Sequence, residues 1–338
     1  MKPPRRLAGA RRLALLGIAV SLAGVAAGST GAAFTASQST PGNSFSAAPD
    51  WTAPTAGPAT IQKTEGGVEN HVKQGGTYHV YAQVTDNGNP PAGVAPAGVT
   101  ADVSSITAGQ TAVPLVTTGG PWTVNGTSYN RRTATALTAA NPLSEGTESW
   151  TVTSSDTSSP VNTGNSDPFS VDVDNTPPSA ADVQTVNTSD GTQGRPEAGD
   201  RIELTYSERL EPDSVLAGWD GTATNVVVRI NNAFWDQVLV YDAANSSQLP
   251  VTGGAGIYLG RSDYLTANRT FGASGTPSTM AQSGAVITIT LGTASGAVTT
   301  AAANGTMYWT PSGTPYDRAA NAGSTTLRTE LGAADKDF

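Results

Sequence analysis

The chain contains no cysteine. Structural disulfides, thiol catalysis and attachment through a lipidated cysteine are thereby excluded, and the fold must rest on its hydrophobic cores alone. Histidine is nearly absent too, with only His71 and His79. No H-E-x-x-H spacing offers a zinc site, and no G-x-S-x-G elbow surrounds a serine. The two histidines therefore read as surface residues, and the chain as non-enzymatic. Lysine occurs only at positions 2, 63, 73 and 336, and no basic run marks a nucleic-acid or membrane patch.

Charge is also unevenly placed. Lys2, Arg5, Arg6, Arg11 and Arg12 precede a stretch, 13–49, without a single charged residue. Positions 13–27 are apolar and small, and Gly28, Ser29 and Thr30 interrupt them. A basic segment, a short apolar run and small residues at the cut form a signal peptide, expected over 1–32 and followed by a flexible segment, 33–51. The run is too short and too diluted by Gly and Ser for a strongly apolar spanning helix. Removing the leader takes five of 18 basic residues and leaves 13 against 27 acidic ones, a net charge of −14. Such a surface repels phosphate backbones, so no nucleic-acid partner and no membrane span are expected in the exported chain.

What remains is rich in Gly, Thr, Ser, Ala and Val, in short apolar runs with turn residues between them. In 78–85, Tyr78, Val80, Ala82 and Val84 share one face, while His79, Gln83 and Thr85 share the other. In 201–206, Ile202, Leu204 and Tyr206 alternate with Arg201, Glu203 and Thr205. Both are half-buried strands. Further strands are expected at 148–153, 168–173, 225–231, 237–241, 286–291 and 306–310. A strand followed by Asp174-Asn175-Thr176-Pro177-Pro178 ends one module. The expected fold is all-β: two tandem sandwiches, 52–175 and 176–338. A weak internal repeat agrees, since Trp150 precedes Asp156 much as Trp309 precedes Asp317.

These residues carry a resemblance. Gly199-Asp200-Arg201-Ile202-Glu203-Leu204-Thr205-Tyr206-Ser207-Glu208, with Leu210-Glu211-Pro212-Asp213, resembles the G-D-x-I-x-L-x-F-S-E stretch of bacterial immunoglobulin-like domains in surface-layer and adhesin proteins. Asp317-Arg318-Ala319-Ala320-Asn321 is similar to their D-x-A-G-N turn, with Ala320 in place of the usual Gly. Ala32, Phe34, Gly42, Asn43, Phe45 and Ala47 resemble the leader pattern of exported biofilm-matrix proteins of Gram-positive bacteria. The resemblance implies immunoglobulin-like sandwiches, a secreted or cell-surface setting, and a structural or adhesive role. The implied partners are surface or matrix proteins, or polysaccharide.

Two sets of site residues follow. Asp172 and Asp174 at the junction, with Asp86 if its loop lies at the same pole, are candidate calcium ligands, because calcium takes hard oxygens from acidic loops. No other cofactor is expected. Trp219, Tyr258 and Tyr264 are candidate sugar-stacking rings, with Trp235 and Tyr241 assigned to the core. Glu208, Glu211 and Asp213 read as a solvated turn, since a glycosidase would need two carboxylates across a cleft. A hydrolase on the sandwich scaffold is the rival from another functional class.

Overall fold

The computed structural model describes residues 50–338. The expected signal peptide, almost all of 33–51 and the six leader-pattern residues lie outside them. The described residues are nearly all β, relieved by a one-turn helix, Pro212–Val215, and a 3-10 turn, Pro250–Thr252. Among them, no helix is long and apolar enough to cross a membrane.

Two ten-stranded sheets divide the chain in sequence order. The first runs Thr55–Lys63, Thr77–Thr85, Arg131–Thr133, Val113–Val116, Val94–Asp102, Gly146–Asp156, Phe169–Val173 and His71–Val72, with two short strands beside this path. Only the last pairing is parallel: His71 and Val72 lie opposite Asp172 and Val173. The sheet bends round a main core, so Ile61 from its first strand shares that core with Val171 and Val72 from its last two. Tyr78, Val80, Ala82 and Val84 all point into that core, as the alternation requires. Tyr81, on the opposite face, packs under Trp122 and Tyr129 of a separate hairpin, Trp122–Val124 with Thr127–Tyr129.

The second sheet runs Ala180–Val186, Arg201–Tyr206, Val286–Thr290, Ser278–Ser283, Thr224–Asn231, Gln237–Asp242, Ile257–Tyr258, Tyr308–Trp309 and Arg328–Thr329, with Arg269–Phe271 beside it. Ile202, Leu204 and Tyr206 are buried, and Tyr206 meets Trp309 edge-on at 4.9 Å between centroids. The two cores share no residue: one is drawn from 61–173 and the other from 183–338.

The weak repeat has a physical counterpart. Trp150 and Trp309 are each fully buried, one per core. Asp156 Oδ1 accepts the N–H groups of Ser158 and Asn162, and Asn162 Nδ2 donates to Asp156 Oδ2. Asp317 Oδ1 accepts Ala319 and Asn321 N–H, and Asn321 Nδ2 donates to Asp317 Oδ2. Both aspartates tie a turn by satisfying its backbone donors. Asp200, fully buried, does similar work in the G-D stretch by accepting Thr188 and Glu197 N–H. The strand expected at 148–153 is longer than its apolar residues, because Gly146–Asp156 runs on to pair Thr163–Asn165.

Candidate functional site

The junction between the sheets is a contact surface. Glu211, expected in a solvated turn, is buried; its Oε2 lies 3.6 Å from Lys63 Nζ and accepts Val68 N–H at 2.8 Å. Lys63 Nζ also donates to Val68 O at 2.9 Å. The loop that receives Glu211 contains Gly67 at φ +80, where a Cβ would overlap the glutamate carboxylate. Lys73 Nζ donates to Ala320 O, and Asn321 Nδ2 donates to Asp174 O at 2.9 Å. Burial lowers the Lys63 pKa from 10.5, with Glu211 opposing that shift.

Above this contact, Asp174, Glu208 and Asp317 bring one carboxylate oxygen each within 4.8 Å of one another. The strand-end acid of the first module thus meets the S-E stretch and the D-x-A-A-N turn of the second. Desolvation, together with a hydrogen bond to Asp174 and repulsion from Asp174, Asp317 and Glu145, pushes Glu208 up to about 8. Burial raises Asp317 as well, against the hydrogen bonds from Asn321. Crowded carboxylates of this kind share protons or gather a hard cation.

Of the expected calcium residues, only Asp174 joins this group. Asp172 points outward from its strand and accepts Thr147 Oγ1 at 2.8 Å. Asp86 follows the far end of the nine-residue strand Thr77–Thr85, about 30 Å of chain from the junction. It closes its own loop by accepting Gly88 and Gly93 N–H.

The expected sugar-stacking trio does not line one exposed face. Trp219 is buried behind the short helix and donates its Nε1 to Thr222 O. Tyr264 is fully buried and hydrogen-bonds Asp337. Both rings fill the core because each finds a polar partner inside for its one polar atom. Tyr258 alone reaches the surface, in different company. Trp235, assigned to the core by sequence, is 41% exposed, and Phe234 is 86% exposed. Trp235 stacks on Tyr308 at 5.6 Å and 21°, with Tyr258 edge-on at 6.4 Å and Phe234 tilted at 5.5 Å. Tyr241 is half-buried under the guanidinium of Arg229, 3.6 Å from its ring centroid.

The loop that carries Phe234 and Trp235 is held from beneath. Asp236 is fully buried and accepts N–H groups from Ala233, Tyr264 and Leu265. A tight hairpin loop anchored in this way presents its aromatics at little ordering cost. Neither Phe234 nor Trp235 sits in the alternating part of a strand, so periodicity gave no sign of their exposure.

A third feature lies on the first module. A cleft of about 450 Å³ is lined by Lys63, His79, Tyr81, Asn125 and Arg132 among others. Arg132 lies over Trp122 at 4.8 Å, and His79 Nδ1 is 2.9 Å from Thr133 Oγ1. Burial, then Arg132, lowers the His79 pKa. The half-buried His71 packs close to Arg318 of the second module, and burial and that arginine lower its pKa too.

No protein-family model, curated protein sequence or solved structure matches the chain.

Proposed function

We propose that the chain is a secreted or cell-surface, non-enzymatic structural protein of two immunoglobulin-like sandwiches, working in adhesion as one stiff unit. The observation that carries this reading is the buried contact between the modules. Lys63–Glu211, Lys73–Ala320 and Asn321–Asp174 cross it, and adjoining modules joined only by a linker would make no such bonds. The G-D-x-I-x-L-x-Y-S-E stretch supports the immunoglobulin-like assignment, because its acids at 208 and 211 are the residues that meet the neighbouring module. Export is supported by the basic cluster and the uncharged run that follows it.

A second reading concerns the partner, and the Trp235 platform favours it: polysaccharide, bound by ring stacking. Aromatic faces that stay exposed on a rigid loop suit the apolar faces of sugars. The test uses secreted material. Its N-terminus is expected between about Gly28 and Phe34, and it is expected to be retained by cell-wall polysaccharide. The Trp235→Ala protein should pass through such a column while melting at the wild-type temperature. Equal retention of both proteins would remove the polysaccharide reading. An intact Met1 in a membrane fraction would remove secretion by cleavage.

A further inference from the structure

Shortly after the Asp317 turn in sequence, a second group of acids has no counterpart in the sequence expectations. Glu330, Asp335 and Asp337 each place a carboxylate oxygen within 4.8 Å of the others. Glu330 is 9% exposed, and its Oε1 is fully enclosed without any hydrogen-bond partner. Asp337 is 1% exposed; its Oδ2 accepts Tyr264 Oη–H at 3.0 Å, and its Oδ1 lies 3.4 Å from Thr185 Oγ1. None of the four ion pairs among the described residues involves any of the three acids. Lys336, their sequence neighbour, instead lies against Gly194.

A buried carboxylate oxygen without a donor, as at Glu330, is costly, and crowding it with a second buried acid, Asp337, and a third, Asp335, is costlier still. The geometry points to a calcium site built from Glu330, Asp335 and Asp337, with the enclosed Glu330 Oε1 as the inner ligand. The donors are all hard oxygens, without nitrogen or sulfur, which selects an alkaline-earth ion over zinc or copper. Two buried ligands and one exposed ligand form an irregular, half-open set. Calcium accepts such a set with waters on the open side, whereas magnesium demands a near-ideal octahedron. The unfilled alternative is protonation: burial and acidic neighbours push Glu330 up to about 7 and Asp337 up to about 8. An ion would do more than neutralise. Asp335 O accepts Gly305 N–H at 2.7 Å, Leu331 N–H donates to Asp182 Oδ1 at 2.8 Å, and the Phe338 ring lies in the core. The bound ion would therefore cinch the last strand, Arg328–Thr329, and the segment after it onto the second module.

Tyr264 supplies the readout, since its hydroxyl touches Asp337 and its ring would lie within a few ångströms of the ion. The full chain is stripped with chelator and titrated with terbium under tyrosine excitation. All measurements use the Glu208→Gln background, which thins out the junction acids as competing ligands. We expect saturable sensitised emission that calcium displaces and magnesium displaces at least tenfold less well. Asp335→Asn, an isosteric change at an exposed position, should weaken terbium binding at least tenfold, and Glu330→Gln should abolish it. Calcium should raise the melting temperature of the Glu208→Gln protein and leave that of its Glu330→Gln derivative unmoved. The site is overturned if no saturable emission appears, if both variants bind terbium as the parent does, or if millimolar calcium leaves the parent's melting unchanged.

Discussion

Replacing Lys63 by methionine removes the charge that faces Glu211 and leaves a side chain of similar length. At 3.6 Å the pair attracts by about 4–5 kcal/mol if the effective dielectric constant is about 20. Bringing each ion out of water costs several kcal/mol, so the intact pair nets little. Stranding one partner is different, because the remaining charge keeps its burial cost and loses its counterion. Lys63→Met is therefore expected to destabilise the chain by about 3–5 kcal/mol. Glu211→Ala should cost at least as much, since it also orphans the Val68 N–H, a loss of about 1–3 kcal/mol. The double variant Lys63→Met with Glu211→Gln retains an acceptor for Val68 and strands no charge. It should recover most of the loss and sit within about 1–2 kcal/mol of wild type. Urea unfolding of wild type, Lys63→Met, Glu211→Gln and the double variant gives the cycle directly, and Glu211→Ala reports the added loss of the Val68 acceptor. If Lys63→Met costs under about 1 kcal/mol, or if the single losses add in the double variant, the modules do not share a buried pair. The proposed stiff unit would then lose its main support.

Two further outcomes follow from the same contact. Glu208 has a folded pKa of about 8 against an ordinary 4.5, so the folded state holds a proton that the unfolded state has released. In chelator, stability should fall as pH rises from about 4.5 to about 8, and wild type should lose more than Glu208→Gln across that window; parallel pH profiles would contradict this. Ala320 sits at φ +71, a left-handed conformation that favours glycine; Ala320→Gly should raise stability by about 0.5–1 kcal/mol, and a loss in thermal unfolding would show the turn to be unstrained.

The parts of the fold that follow from alternation were legible in the sequence. The faces of Arg201–Tyr206 and of Thr77–Thr85 emerge as read, because the main core of each sheet lies on one face; Tyr81 alone is buried on the other, under the Trp122–Tyr129 hairpin. Strand ends were less legible: Gly146–Asp156 runs past its apolar residues because backbone pairing with Thr163–Asn165 continues where side chains turn polar. The functional residues were harder. Glu208 and Glu211 look solvated in their own segment, yet against the first module Glu211 is buried and Glu208 half-buried. Trp219 and Tyr264 looked like candidates for exposure, yet Thr222 O and Asp337 satisfy their polar atoms inside. Trp235 looked like core, yet it stands on a loop whose direction is set by the buried Asp236. Glu330 and Asp337 lie in no alternating run, so no pattern in the sequence marks them as buried.

The single parallel pairing in the first sheet has a mechanical meaning. Asp172 N–H bonds Asn70 O, and Asp174 N–H bonds Val72 O. Because the two segments run the same way, the chain leaves toward its two ends from opposite extremities of this short ladder. A pull applied across this pair, backward from Asn70 and forward from Asp174, therefore slides the segments past one another and strains both bonds at once, where an antiparallel hairpin pulled at its open end would unzip bond by bond. Lifetime under force is set by the unfolding barrier rather than by equilibrium stability. A short clamp loaded in shear raises that barrier at the point where the pull passes from one module into the next.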